Sequence, residues 1–145
     1  SERSGVRQKA GTYKDKNLVT GKKYYYKIKG YKKVGKTTYK GSKSKASKAY
    51  PKPAKVKITS IKSTAKGAKL YWKKVAGASG YVIHRSESKT GKYTKIKEIK
   101  KQTKISYNNT GLLKGKTYYY KVMAYRNMSG IYVYGKYSTV KQIRK

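Results

Sequence analysis

The chain has 145 residues, 40 Lys+Arg against 4 Asp+Glu, a formal net charge of +36 and no cysteine. That length holds one domain of ordinary size plus a fragment. Without cysteine there is no disulfide framework and no thiolate metal site. The charge makes the chain repel itself at low salt and draws it to counterions or a polyanion such as nucleic acid, an anionic membrane or an anionic cell wall.

Five of the bases are arginine (Arg3, Arg7, Arg85, Arg126 and Arg144), and the rest are lysine. A planar guanidinium suits bidentate reading of phosphate, whereas lysine is a hydrated point charge. The balance points to diffuse attraction. No apolar run is long enough to span a membrane, and the opening SERSGVRQKAG has no apolar core of a signal peptide. The first element in chain order is GKKYYYKIKGY, Gly21 to Tyr31. It returns as GKTYYYKVMAY, Gly115 to Tyr125, 94 residues later.

The match spreads around these segments. Tyr13, Leu18, Gly21, Tyr24, Tyr25, Tyr26, Lys27 and Tyr31 align with Tyr107, Leu112, Gly115, Tyr118, Tyr119, Tyr120, Lys121 and Tyr125 at one offset. A one-residue slip near Ser129 is expected to set Tyr39 opposite Tyr134. A period of this size is a whole small domain, so the chain reads as a tandem array. Residues 1–50 read as the C-terminal half of one repeat. Pro51 and Pro53, the only prolines, mark a linker at 51–53, and 54–145 read as a complete repeat.

The complete repeat is patterned as strands throughout. AKVKITSI alternates apolar and basic residues, and AKLYW sets Ala68, Leu70 and Trp72 on one face. GYVIHRS sets Tyr81 and Ile83 together, with Val82 and His84 opposite. YTKIKEIK carries Ile96 and Ile99, and KISY pairs Ile105 with Tyr107. In TYYYKVMAY, Tyr118, Tyr120, Val122 and Ala124 share one face, while Tyr119, Lys121 and Met123 share the other. STVKQI closes the chain. Period-2 alternation, frequent breaks and no helical stripe predict an all-β antiparallel sandwich of seven short strands. Lysines fall on outer positions and turns, where they also discourage edge-to-edge aggregation.

These residues resemble a fibronectin type III domain. The carriers are LYW, GASGYVIHR and LLKGKTYYYKVMAY. The resemblance implies that Trp72 is the core tryptophan of strand B, and that Tyr81 and Ile83 are the core pair of strand C. It implies that Leu112, Gly115 and Tyr118 form the approach to strand F, with Tyr118 at the tyrosine corner and Tyr120 also facing inward. Lys114 stands where the family usually has proline. The wording also resembles lysine-rich repeats on surface and secreted proteins of Gram-positive, clostridial-type bacteria. That implies an extracellular spacer or adhesion module, with no ligand named; no Arg-Gly-Asp occurs.

Signals of catalysis or cofactor binding are absent from the pattern. Glu87 and Glu98 lie among lysines and read as surface ion pairs. His84, the single histidine, lacks the companions a metal or nucleophilic site needs and reads as exposed scaffold. VAGASG joins two strands, so it is a turn and not a phosphate loop. Asn108-Asn109-Thr110 fits a glycosylation sequon but reads as a turn. Asp15, Glu87 and Glu98 are poor candidates for an isopeptide acid. Tyr25, Tyr31, Tyr119, Tyr125, Tyr132 and Tyr137 are the candidate outward rings for stacking. With the triplets split between faces, Tyr25, Tyr119 and Lys121 remain as candidate surface contacts.

The expected function is a non-enzymatic module that holds anionic wall polymer through lysines, without metal or cofactor. Two alternatives stand: a binder of nucleic acid or sulfated glycan, and an accessory domain of a secreted hydrolase. Residues 1–50 alone cannot close a sandwich. Three outcomes are open for them: completion by another chain, pairing with a neighbouring repeat, or partial disorder.

Overall fold

A computed structural model describes residues 11–145. The described residues hold twelve strands and no helix: β1 (Tyr24–Tyr26), β2 (Lys29–Val34), β3 (Thr37–Lys43), β4 (Ser47–Ala49), β5 (Ile58–Thr64), β6 (Gly67–Trp72), β7 (Gly80–Ser86), β8 (Thr94–Ile99), β9 (Ser106–Thr110), β10 (Thr117–Met128), β11 (Ile131–Tyr134) and β12 (Lys141–Arg144). Strands β5-β6-β9 form one sheet. The other runs β11-β10-β7-β8, with β12 also on β10. All pairs are antiparallel. Alternate residues enter the space between the sheets because side chains switch faces at each step.

The interior is apolar and rich in aromatic rings. Leu70, Trp72, Tyr81, Ile83, Tyr118, Tyr120, Val122 and Ala124 are all buried there. Trp72 meets Tyr81 edge-on at 5.3 Å between ring centroids, the geometry ring quadrupoles favour. The Tyr81 hydroxyl accepts from Val75 N–H and donates to Gln102 O, and the Gln102 amide returns to Val75 O at 2.8 Å. These bonds tie the loop before β7 to the loop after β8, so burying a tyrosine here leaves no unpaired hydroxyl. Between the sheets, Asn109 Oδ1 accepts from the Tyr120 hydroxyl at 2.9 Å and from Arg85 at 3.3 Å.

The strands β1 to β4 repeat the pairing register of β10 to β12. Tyr24, Tyr25 and Tyr26 pair with Ala49, Lys48 and Ser47, as Tyr118, Tyr119 and Tyr120 pair with Ile143, Gln142 and Lys141. The Tyr24 hydroxyl accepts Val19 N–H, and the Tyr118 hydroxyl accepts Leu113 N–H, each at 3.0 Å. Both depend on a left-handed glycine, Gly21 at φ 76° and Gly115 at φ 83°, a conformation that a Cβ would strain. Tyr26 bonds Asp15 where Tyr120 bonds Asn109. Ser44 caps Ile28 N–H where Ser138 caps Val122 N–H.

The expected one-residue slip does not occur. Val34 opposes Thr37 as Met128 opposes Ile131, and Lys32 opposes Tyr39 as Arg126 opposes Val133. Tyr39 therefore corresponds to Val133, and Lys40 to Tyr134. Both hairpins turn on a left-handed first residue, Gly35 (φ 58°) and Ser129 (φ 51°), so the two turns are equally long.

Burial separates the copies. Val122 is fully buried, while its counterpart Ile28 is 77% exposed. Tyr24 and Tyr26 are half-buried, so the inward role assigned to both triplets holds only for the second. The cause is topological: β10 pairs with β7, and among the described residues β1 and β2 pair only with β4 and β3.

Candidate functional site

The outer face of β10 and β7 gathers the polar side chains that alternation sends away from the core. Lys121 lies opposite His84, and Met123 opposite Val82. Tyr93, before β8, and Tyr137, after β11, reach over this face. The Lys121 ammonium lies 4.2 Å from the centroid of each ring. Such a contact contributes roughly 0.5–2 kcal/mol. It occupies the lysine, whose charge stands between two rings instead of projecting into solvent.

His84 packs edge-on against Tyr137 at 5.2 Å, with the phenol 3.4 Å from Nε2. It is half-buried and not an exposed group. Burial, then the charges of Lys121 and Lys95, hold its pKa below the ordinary histidine range. The ring is thus neutral at physiological pH, and it adds no cation to the face.

Tyr125 departs from the outward reading. It lies on the outer side of β10 yet is 2% exposed, because Tyr132 and Tyr134 of β11 cover it at centroid distances of 5.5 and 6.1 Å. Burial, then Glu98, pushes its pKa up to about 12. Tyr119 is half-buried. Tyr25, Tyr31, Tyr132 and Tyr137 are exposed, and Tyr13, Tyr39 and Tyr134 join them. Exposed rings therefore follow the hairpin strands β3 and β11 as well as the triplets. The hairpin register shows this; alternation within one strand does not.

The acids are dispersed. Glu98 pairs with Lys95 at 2.6 Å, and Glu87 with Lys116 at 3.0 Å. Among the described residues no three His, Cys, Asp or Glu come together as a metal site. Gly115 is at an open turn, and Leu112 is buried beside the corner residue Tyr118. The bonding roles of Asn109 and Arg85 between the sheets, and of Gln102 and Ser138 in the loops, went unread in the sequence, since isolated polar residues carry no periodic signal.

No family model matches the chain, and no curated protein does. Solved structures do. The chicken CNTN1 FN1-FN3 domains align at 20% identity and a TM-score of 0.52, over 92% of this chain and 45% of that one. A two-domain fibronectin type III segment of chicken tenascin aligns at 12% identity and a TM-score of 0.53, over 83% and 65%. A Fn3-like protein from Clostridium thermocellum aligns at 28% identity and a TM-score of 0.44, over 61% and 86%. The chain thus spans about half the length of the CNTN1 segment. The fold is an all-β sandwich of the fibronectin type III kind.

Proposed function

We propose that this fibronectin type III sandwich is a non-catalytic spacer and adhesion module of an extracellular bacterial surface or secreted protein. Its lysine faces hold anionic wall polymer. One observation carries the reading: the net charge is +36, yet among the described residues no lysine is buried. The core is therefore complete without the charge, and most of the lysine charge stands at the surface beside few acids: Lys95 and Lys116 pair with Glu98 and Glu87, and Lys121 lies between rings. Neutralising phosphates releases condensed counterions, so binding is salt-sensitive. No helix of the described residues is long and apolar enough to cross a membrane. In this reading the β1–β4 hairpin is completed by strands of a neighbouring repeat or another chain, which would cover Ile28.

The test is binding to a polyol-phosphate polymer across a salt series. With about six phosphate contacts, affinity falls by about three decades between ~50 and ~200 mM salt. Binding that ignores salt, or is absent at low salt, sinks the proposal. The exposed tyrosines favour single-stranded nucleic acid as a second reading, since bases stack on such rings. Preference for an oligonucleotide over the polyol phosphate in direct competition would establish it instead.

A further inference from the structure

Among the described residues each of the two sheets ends in a strand with one free side: β8 in one, β9 in the other. Between them the sandwich opens into a groove of about 390 Å³. Lys69, Lys97 and Lys104 line it, from β6, β8 and the loop before β9. Lys97 and Lys104 are exposed and Lys69 is half-buried, its ammonium 5.3 Å from the Tyr71 ring. Ser106 and Asn108 add hydrogen-bonding groups, and Ile99 and Tyr107 add apolar surface. The one acid on the wall, Glu98, is already paired with Lys95.

We infer that this groove binds a polyol phosphodiester chain. The inference rests on the polyanion reading above and gives it a location. Three lysines on one lining match a ligand whose charge repeats. The basic residues that line the groove are all lysines, hydrated point charges that suit a repeating anion without demanding the bidentate geometry of a guanidinium fork. The apolar surface suits the carbon segments between phosphates. The free edges of β8 and β9 supply unpaired backbone N–H groups as further donors.

The test compares the intact chain with K69Q/K97Q/K104Q and with K114Q/K136Q/K141Q. The second set removes equal charge from exposed positions, two of them at or beside β12, on the side of the sheet away from β8. The probes are a glycerol-phosphate oligomer, inorganic phosphate and a heparin oligosaccharide of matched charge, with melting curves to confirm folding. The groove variant is expected to lose at least about tenfold in oligomer affinity at low salt, and its salt slope to shrink by about two, for three lost contacts. The control is expected to lose under about threefold. Inorganic phosphate should not compete at equal phosphate concentration. Equal losses in the two variants overturn the groove while leaving the polyanion reading standing. No binding by the intact chain overturns the polyanion reading itself. An equal groove-dependent affinity for heparin, or competition by free phosphate, overturns the assigned ligand class.

Discussion

Tyr118 and Tyr24 offer the same hydrogen bond in two environments. Each hydroxyl accepts one backbone N–H at 3.0 Å, but Tyr118 is 2% exposed and Tyr24 is only half-buried. Removing the Tyr118 oxygen leaves the part-buried Leu113 N–H without its partner, which costs about 1 kcal/mol. Water replaces the oxygen near Tyr24. Tyr118→Phe is therefore expected to lower the denaturation midpoint clearly, and Tyr24→Phe to leave it within error; equal effects would contradict the burial difference. His84 gives a pH signature. Its folded pKa lies below the ordinary value, so the unfolded chain takes up the proton first as pH falls. Its contribution is complete above the ordinary histidine range and is lost as pH drops through it. The melting temperature should fall between about pH 7 and about pH 5, and His84→Gln should flatten that fall. An unchanged profile in the variant would remove His84 from the account.

Strands were legible where one chemical alternation governs one strand. Residues Thr117 to Ala124 of β10 alternate buried and half-buried, as the inner and outer sets of TYYYKVMAY require, and β6 buries Ala68, Leu70 and Trp72. Legibility stopped where a neighbour decides. Tyr125 has the alternation of an outward residue and is buried because β11 folds back over it. Lys121 reads as a free cation and is held between rings contributed by segments before β8 and after β11. Strand β11 was not read in the sequence, and the segment between it and β12 is held by Gly135 and Ser138 bonding β10 while Tyr137 packs on His84 of β7 and Lys121 of β10. The groove was invisible for the same reason: Lys69, Lys97 and Lys104 are distant in sequence and meet only once two sheet edges face each other.

At the scale of the molecule, charge and repetition act against each other. Like charges hold chains apart, while an unpaired strand edge invites pairing. The hairpin of β1 to β4 and that of β10 to β12 share one register, yet only one β7 exists among the described strands to receive them. The chain thus carries its own decoy. During folding the earlier hairpin is expected to compete with the later one for the same docking edge. The correct choice is set by what Val122 and Ala124 bury and what Ile28 and Gly30 would bury in their place. Refolding from denaturant is expected to show a slow phase from chains that must release the decoy. Ile28→Asp should abolish that phase without lowering equilibrium stability, because Ile28 is 77% exposed in the native state. Single-phase refolding of the unaltered chain would show that no such contest takes place. Two stretches written in one register can take the same partner, so repetition within a chain poses a choice of docking edge as well as building a fold.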